Sequence, residues 1–211
     1  MVTVEADPVG VESRLVSGGL GCPGCAGGVL RPWGWARPRS VHGIEVVLRP
    51  RRARCAECLI THVLLPVTVL LRRAYAAEVI GAALVARGAG RGHRWVGLAL
   101  EVPAATVRGW LRVMAGRLEA SRVHLLGVAR LAGVDVVVPE ALGCAWRDLL
   151  AALGVATAAV RGRFGPLGVL GPVTGWQVAV ACSAGRLLAP GWPPPGWELS
   201  ATPVASDVGG G

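Results

Sequence analysis

The sequence contains no lysine, so all 22 of its basic residues are arginine. Tyrosine and phenylalanine occur once each, which leaves eight tryptophans to carry nearly all of the aromatic surface. Acidic residues number only 13, and the formal net charge is +9. The 53% hydrophobic content is high enough that a membrane reading has to be tested. It fails on length and on backbone chemistry. The uncharged run from Leu59 to Leu71 is only 13 residues long and is interrupted by His62 and Pro66, too short for a ~30 Å hydrocarbon layer. The longer uncharged stretch from Phe164 to Gly185 carries five glycines and two prolines, which would break a lipid-exposed helix repeatedly. Glu5, Asp7 and Glu12 stand where the basic region and apolar core of a signal peptide would begin, so the expectation is a cytoplasmic protein. Thiols stay reduced there, and paired cysteines point to metal rather than disulfides.

The charge is unevenly placed. Residues 1–21 sum to −2, residues 22–73 to +7, residues 74–118 to +4, and residues 119–211 to zero. All the excess positive charge therefore lies between Cys22 and Leu118, a density that attracts polyanions, with nucleic acid the first candidate.

Four of the six cysteines form two C-x-x-C pairs inside that segment, Cys22-Pro23-Gly24-Cys25 and Cys55-Ala56-Glu57-Cys58. Each pair suits a tight knuckle, and two knuckles supply the four soft ligands of one structural tetrahedral Zn²⁺. Four thiolates leave no open coordination position, so catalysis at this metal is not expected. The same ligand set fits iron, as in a thiolate electron carrier. His42 and His62 read as strand-surface residues. Between the pairs, Trp33, Trp35 and the run from Val41 to Leu48 read as hairpin strands, with Ile60 to Leu65 as a further strand. The pattern is that of a zinc ribbon, a unit of about 45 residues that depends on its metal to fold. Arg49, Arg51, Arg52 and Arg54 crowd the hairpin and suit contacts to phosphate.

After Pro66 the apolar period lengthens from two to about 3.6. Helices are predicted from about Ala74 to Arg87, from His93 to Leu100 and from Pro103 to Glu119, with Pro103 in the first turn of the third. The three together read as a trihelical helix-turn-helix. Thr106, Arg108 and Arg112 fall on the outward face of the third helix, where arginines reach base edges or phosphates. Trp95 and Trp110 are expected in the core.

The order of ribbon, arginine-rich strand and helix-turn-helix resembles the N-terminal DNA-binding region of insertion-sequence transposases. More closely, it resembles an actinobacterial transposase-like helix-turn-helix family. The residues that carry the resemblance are Cys22-Pro23-Gly24-Cys25, Arg51-Arg52-Ala53-Arg54-Cys55, Thr61-His62-Val63-Leu64-Leu65-Pro66, Gly92-His93-Arg94 and Thr106-Val107-Arg108-Gly109-Trp110-Leu111. It spans about residues 20–120, with weaker similarity near Trp176 and from Ser183 to Leu188, and it adds Arg94 to the implied DNA-binding set. Such helix pairs usually have glycine where this chain has Glu101 and alanine where it has Gly97, departures of about 1 kcal/mol each.

A full transposase needs three carboxylates on two divalent metals. The six acids after residue 118 fall in no convincing run of strands; Asp135, among Val134, Val136, Val137 and Val138, is at most one strand residue. Residues 120–190 read as helices over Val123 to Leu131 and Ala145 to Val160, interrupted at Gly143, Gly154 and Gly162, with Cys144 and Cys182 as buried apolar side chains.

The sequence thus predicts a small β zinc ribbon followed by a mainly α region containing a trihelical helix-turn-helix. The divisions are a disordered N-terminus (1–20), the ribbon (21–67), the helix-turn-helix (72–119), a helical C-terminal region (120–189) and a disordered Pro/Gly tail (190–211). The expected function is non-catalytic, zinc-dependent binding of double-stranded DNA by a nucleoid-associated transposase-like fragment or regulator. No membrane or small-molecule substrate is expected, and a homodimer through the C-terminal helices is left open. The alternative is a zinc-ribbon module that binds protein or RNA.

Overall fold

The computed structural model describes residues 1–133, 136–168 and 171–193. The strands come first. β1 (Val2–Val4), β2 (Leu30–Trp35), β5 (Arg51–Cys55) and β6 (Thr61–Pro66) form a mixed sheet of order β1-β6-β5-β2, in which β1 runs parallel to β6 and the other pairs are antiparallel. β3 (Arg39–Val41) and β4 (Ile44–Leu48) form a separate two-stranded hairpin.

The first twenty residues are ordered, a correction to the disorder expected there. β1 joins the sheet, and α1 (Pro8–Ser17) packs Val11 and Leu15 against Leu30, Ala53, Cys55 and Leu64. The helix signals are local. The Asp7 carboxylate accepts from the N–H groups of Val9 and Gly10 at 3.1 and 2.8 Å, Pro8 occupies the first turn, and Gly18 closes the helix at φ +81°. Asp7, one of the three acids near the N-terminus, is thus the cap of this helix.

The helices follow as α2 (Ala77–Gly88), α3 (His93–Ala99), α4 (Ala104–Ala115), α5 (Leu118–Ala132), α6 (Ala145–Phe164) and α7 (Gly175–Cys182), with a short hairpin of β7 (Leu167–Gly168) and β8 (Gly171–Pro172) before the last. Their shared core includes Ile80, Leu84, Val96, Val107, Met114 and Ala152. Pro103 caps α4 rather than entering its first turn, and α4 stops at Ala115 instead of running to Glu119. Arg117 turns the chain between α4 and α5, donating to the carbonyls of Leu187 and Ala189 at 3.3 and 2.8 Å. α6 runs unbroken through Gly154 and Gly162. Each glycine costs about 1 kcal/mol in propensity, and the buried Leu149, Ala152, Leu153 and Ala156 outweigh it.

Three further expectations change. Val136–Val138 form no strand, Val137 being 82% exposed, while Val134 and Asp135 lie outside the described residues. Cys144 is half-buried at the N-cap of α6 rather than in a core. Order also extends past Pro190, because Trp192 is buried edge-on against His124, with ring centroids 5.2 Å apart; residues 194–211 of the expected tail lie outside the described residues. Among the described residues no helix is long and apolar enough to cross a membrane.

Candidate metal centre and basic surfaces

The first cysteine pair sits in the turn between α1 and β2, and the second begins at the last residue of β5. Local backbone hydrogen bonds shape both: Cys22 N–H to Gly28 O (2.7 Å) and Cys55 N–H to Ile60 O (3.0 Å) close the loops, and Gly24 N–H donates to Cys22 Sγ at 3.3 Å. Pairing of β2 with β5 sets Leu30 opposite Cys55 and so brings the two loops together. All four Sγ atoms lie within 4.8 Å of one another, at 3.7 Å for Cys22–Cys58 and 3.5 Å for Cys25–Cys55, and none forms a disulfide. A tetrahedral site with ~2.3 Å metal–sulfur bonds has edges of about 3.8 Å, so these separations fit one ion.

Gly28 gives an independent check. A Cβ there would lie 2.5 Å from Cys25 Sγ and 2.7 Å from Cys55 Sγ, so the backbone forms a wall that only glycine permits. Burial pushes the Cys55 thiol up, but N–H groups of Cys58 and Glu57 and the neighbouring thiols outweigh it and bring it down to about 7. Cys25 carries the opposite load, pushed up to about 12 chiefly by its hydrogen bond with Cys55 and then by Cys58. The four thiols share their hydrogen bonds, and a metal bound by all of them as thiolates would release their protons. Among the described residues no other group of three or more His, Cys, Asp or Glu side chains is placed to hold a metal.

His62 corrects the surface reading. It is only 6% exposed, with Nε2 3.5 Å from Cys22 Sγ and Nδ1 3.2 Å from the Met1 amino group. An ammonium can only donate, so Nδ1 accepts and Nε2 carries the proton that points at Cys22 sulfur. Burial, then the nearby N-terminal charge, holds the imidazole below its ordinary pKa. Its position four residues past Cys58 was the one signal in the sequence; the contact itself needs β6 paired on β5 and β1 on β6.

Comparison with known proteins finds no matching family model, no similar curated protein and no similar solved structure.

The arginines from Arg49 to Arg54 are differently occupied. Arg51 chelates Glu12 through Nε and Nη2 at 2.8 and 3.0 Å, donates Nη1 to Gly34 O at 2.6 Å and lies over the Trp35 ring, which leaves it 14% exposed. Its contacts tie α1 to the sheet. The same pair draws the Glu12 carboxyl below the usual range, first by hydrogen bonding. Arg54 donates Nε to Leu59 O and stacks over Trp33, Arg52 is half-buried on β5, and Arg49 is exposed beside Trp35.

α3 and α4 meet through a short turn. Glu101 takes the left-handed conformation there, φ +54°, where an ordinary residue is strained. Gly97 is no weakness in this helix. A Cβ on it would come within 2.7 Å of Val102 O and 3.1 Å of Ala104 Cα, so the close crossing of α3 on α4 requires glycine. Trp110 is buried, edge-on to Tyr75, whereas Trp95 is 52% exposed with Arg91 over its ring at 5.0 Å, against the expectation that both are core. Arg94, Arg108 and Arg112 are exposed and Thr106 is half-buried. The hairpin reaches this turn: His42 Nε2 lies 3.2 Å from Leu100 O.

Proposed function

We propose that this protein is a non-catalytic, zinc-dependent binder of double-stranded DNA, in which α2, α3 and α4 act as a helix-turn-helix and α4 enters the major groove. The observation that carries the reading is the Gly97 contact. It fixes α4 against α3 through backbone atoms while the outer side of α4 presents Arg108, Gly109 and Arg112 with no acidic residue among them. A rigid helix with small residues near its start and arginines reaching outward suits groove entry. The four-thiolate set supports one structural Zn²⁺, since soft sulfur ligands in a closed tetrahedron offer no site for substrate.

Arg108 and Arg112 read bases, and Thr106 and Arg94 approach the flanking backbone. Arg49, Arg52 and Arg54 supply phosphate contacts; Arg51, bound to Glu12, contributes mainly through the positive field. The reading places the protein beside bacterial chromosomal DNA as a regulator or transposase-like fragment.

Selection of bound duplexes from a random pool with zinc-loaded protein tests this. A recovered motif that disappears with Cys55→Ser is expected. Arg108→Ala should then relax preference at one base by ~1–3 kcal/mol, while Arg52→Ala weakens all sequences alike. No motif, with weak binding unchanged in Cys55→Ser, would overturn the proposal. The exposed Trp33 and Trp35 on the ribbon favour a second reading, a protein- or RNA-binding module. An affinity for duplex DNA that is flat in salt would favour the protein partner over either nucleic acid.

A further inference from the structure

The β3–β4 hairpin has one anchored side and one bare side. Val41 on β3 is buried with Leu65 and Val69, and His42 exchanges backbone hydrogen bonds with Ala74 and Ala76 at 2.9 and 2.8 Å. β4 pairs with β3 alone, so among the described residues its outer row of N–H and C=O groups meets no strand. Successive side chains of a strand point to opposite faces, yet Val46 is 72% and Val47 62% exposed. Neither face is covered at the strand's centre. Ile-Glu-Val-Val-Leu is strongly β-forming and lacks the proline and lysine that guard natural edges. A cleft of ≈ 400 Å³ separates Val46 and Val47 from Pro8, Val11 and Trp35 of the same chain, so no side chain packs closely on the strand's centre.

We infer that β4 is a homodimerisation edge, on which β4 of a second copy pairs antiparallel about a twofold axis at Val47. Charge selects this partner and register. Pairing centred on Val47 sets Val46 opposite Leu48 and Glu45 opposite Arg49, and the twofold makes both pairs twice. Glu45 and Arg49 are exposed, and neither takes part in an ion pair among the described residues. Centring on Val46 sets Glu45 against Val47 and loses both charge pairs. Centring on Leu48 sets Glu45 against Arg51, which Glu12 already holds. Parallel pairing in register would place Glu45 beside Glu45, a repulsive arrangement.

The product is a four-stranded sheet, β3-β4 followed by its symmetry copy. A strand-only contact is smaller than the ~1,200 Å² of standard complexes, so dimerisation is weak and concentration-dependent. The inference is independent of the DNA reading, except that it takes Arg49 from phosphate contact into the dimer.

The test uses the full zinc-loaded chain. Residues opposite each other at the axis have Cα atoms about 4.5–5.5 Å apart, within disulfide reach. Under mild oxidation Val47→Cys should cross-link into a dimer above the wild-type background, and Val46→Cys should not. In sedimentation equilibrium the wild type should dimerise with rising concentration, Glu45→Arg should weaken this several-fold, and adding Arg49→Glu should restore it. Zinc content of each variant confirms its fold. A wild type that stays monomeric at the highest attainable concentration overturns the inference. So does equal cross-linking of both cysteine variants, or a folded double variant that fails to recover.

Discussion

Two small groups decide the chemistry at the scale of single residues. Gly28 lets the backbone touch two of the four sulfurs, and His62 aims an N–H at a third from outside the ligand set. Hydrogen bonds to metal-bound ligands hold them in orientation, and losing one typically costs 10–100-fold in metal affinity. On the proposed zinc site, His62→Phe is therefore expected to shed the ion to a chelator faster than the wild type while retaining all four cysteines, as measured by metal-release kinetics. Retention equal to wild type would show that His62 only fills space. Gly97 makes the complementary case in the helices. Gly97→Ala drives a methyl group into the backbone of the α3–α4 turn, and the expected cost is about 1–3 kcal/mol, read as a lower denaturation midpoint. Sequence statistics rank alanine above glycine in any helix, so this position reads as a defect until the crossing is seen.

At the scale of elements, α1 shows how a segment with weak apolar patterning becomes ordered. It buries only Val11 and Leu15, and its stability leans on the Asp7 cap and the Arg51–Glu12 pair that joins it to β5. Asp7→Ala should cost about 1 kcal/mol and raise amide exchange across residues 8–17 without affecting α5 or α6. Glu12 has its pKa lowered by Arg51, so this link is present above the ordinary carboxylate pKa and is lost as pH falls through the lowered one. Because Glu12 is partly exposed, the effect is small and screened by salt. The cap and the proline were legible before folding. The ordered N-terminus was not, because its partner Arg51 lies 39 residues away and reads in isolation as one more phosphate-binding arginine.

At the scale of the whole molecule, the cysteine-bound sheet and the helices are joined through β1 beside α7, and through the hairpin that brings His42 to Leu100. With the cysteine cluster holding zinc as proposed, its removal is expected to unfold the sheet first, because the sheet's apolar core is small, while the helical core around Met114 and Ala152 persists. Hydrogen exchange after chelation would show protection lost over residues 20–66 and kept in α5 and α6; uniform loss would mean that the two cores fold as one. Acid acts on the helical side as well. Burial holds His124 below its ordinary pKa, partly offset by its contact with Cys182 O at 2.9 Å. The unfolded chain therefore takes up the proton first, and stability present above pH ~6.5 declines as pH falls toward the lowered folded value. In His124→Asn the slope of stability against pH between ~7 and 5 should flatten, measured by denaturant titration.

The four-cysteine cluster, the concentration of charge between Cys22 and Leu118 and the existence of most helices are readable from the chain alone. Each rests on spacing, counting or period, which are properties of neighbours along the chain. Long-range packing settles which arginines are free, that His62 touches Cys22, that Trp95 lies outside the core while Trp192 lies within it, and that Gly97 is required. Most of these depend on contacts between residues far apart along the chain, such as Glu12 with Arg51 and His124 with Trp192. Side chains of the same type become ion-pair partner, stacking cap or exposed contact according to the surface that long-range packing places before them.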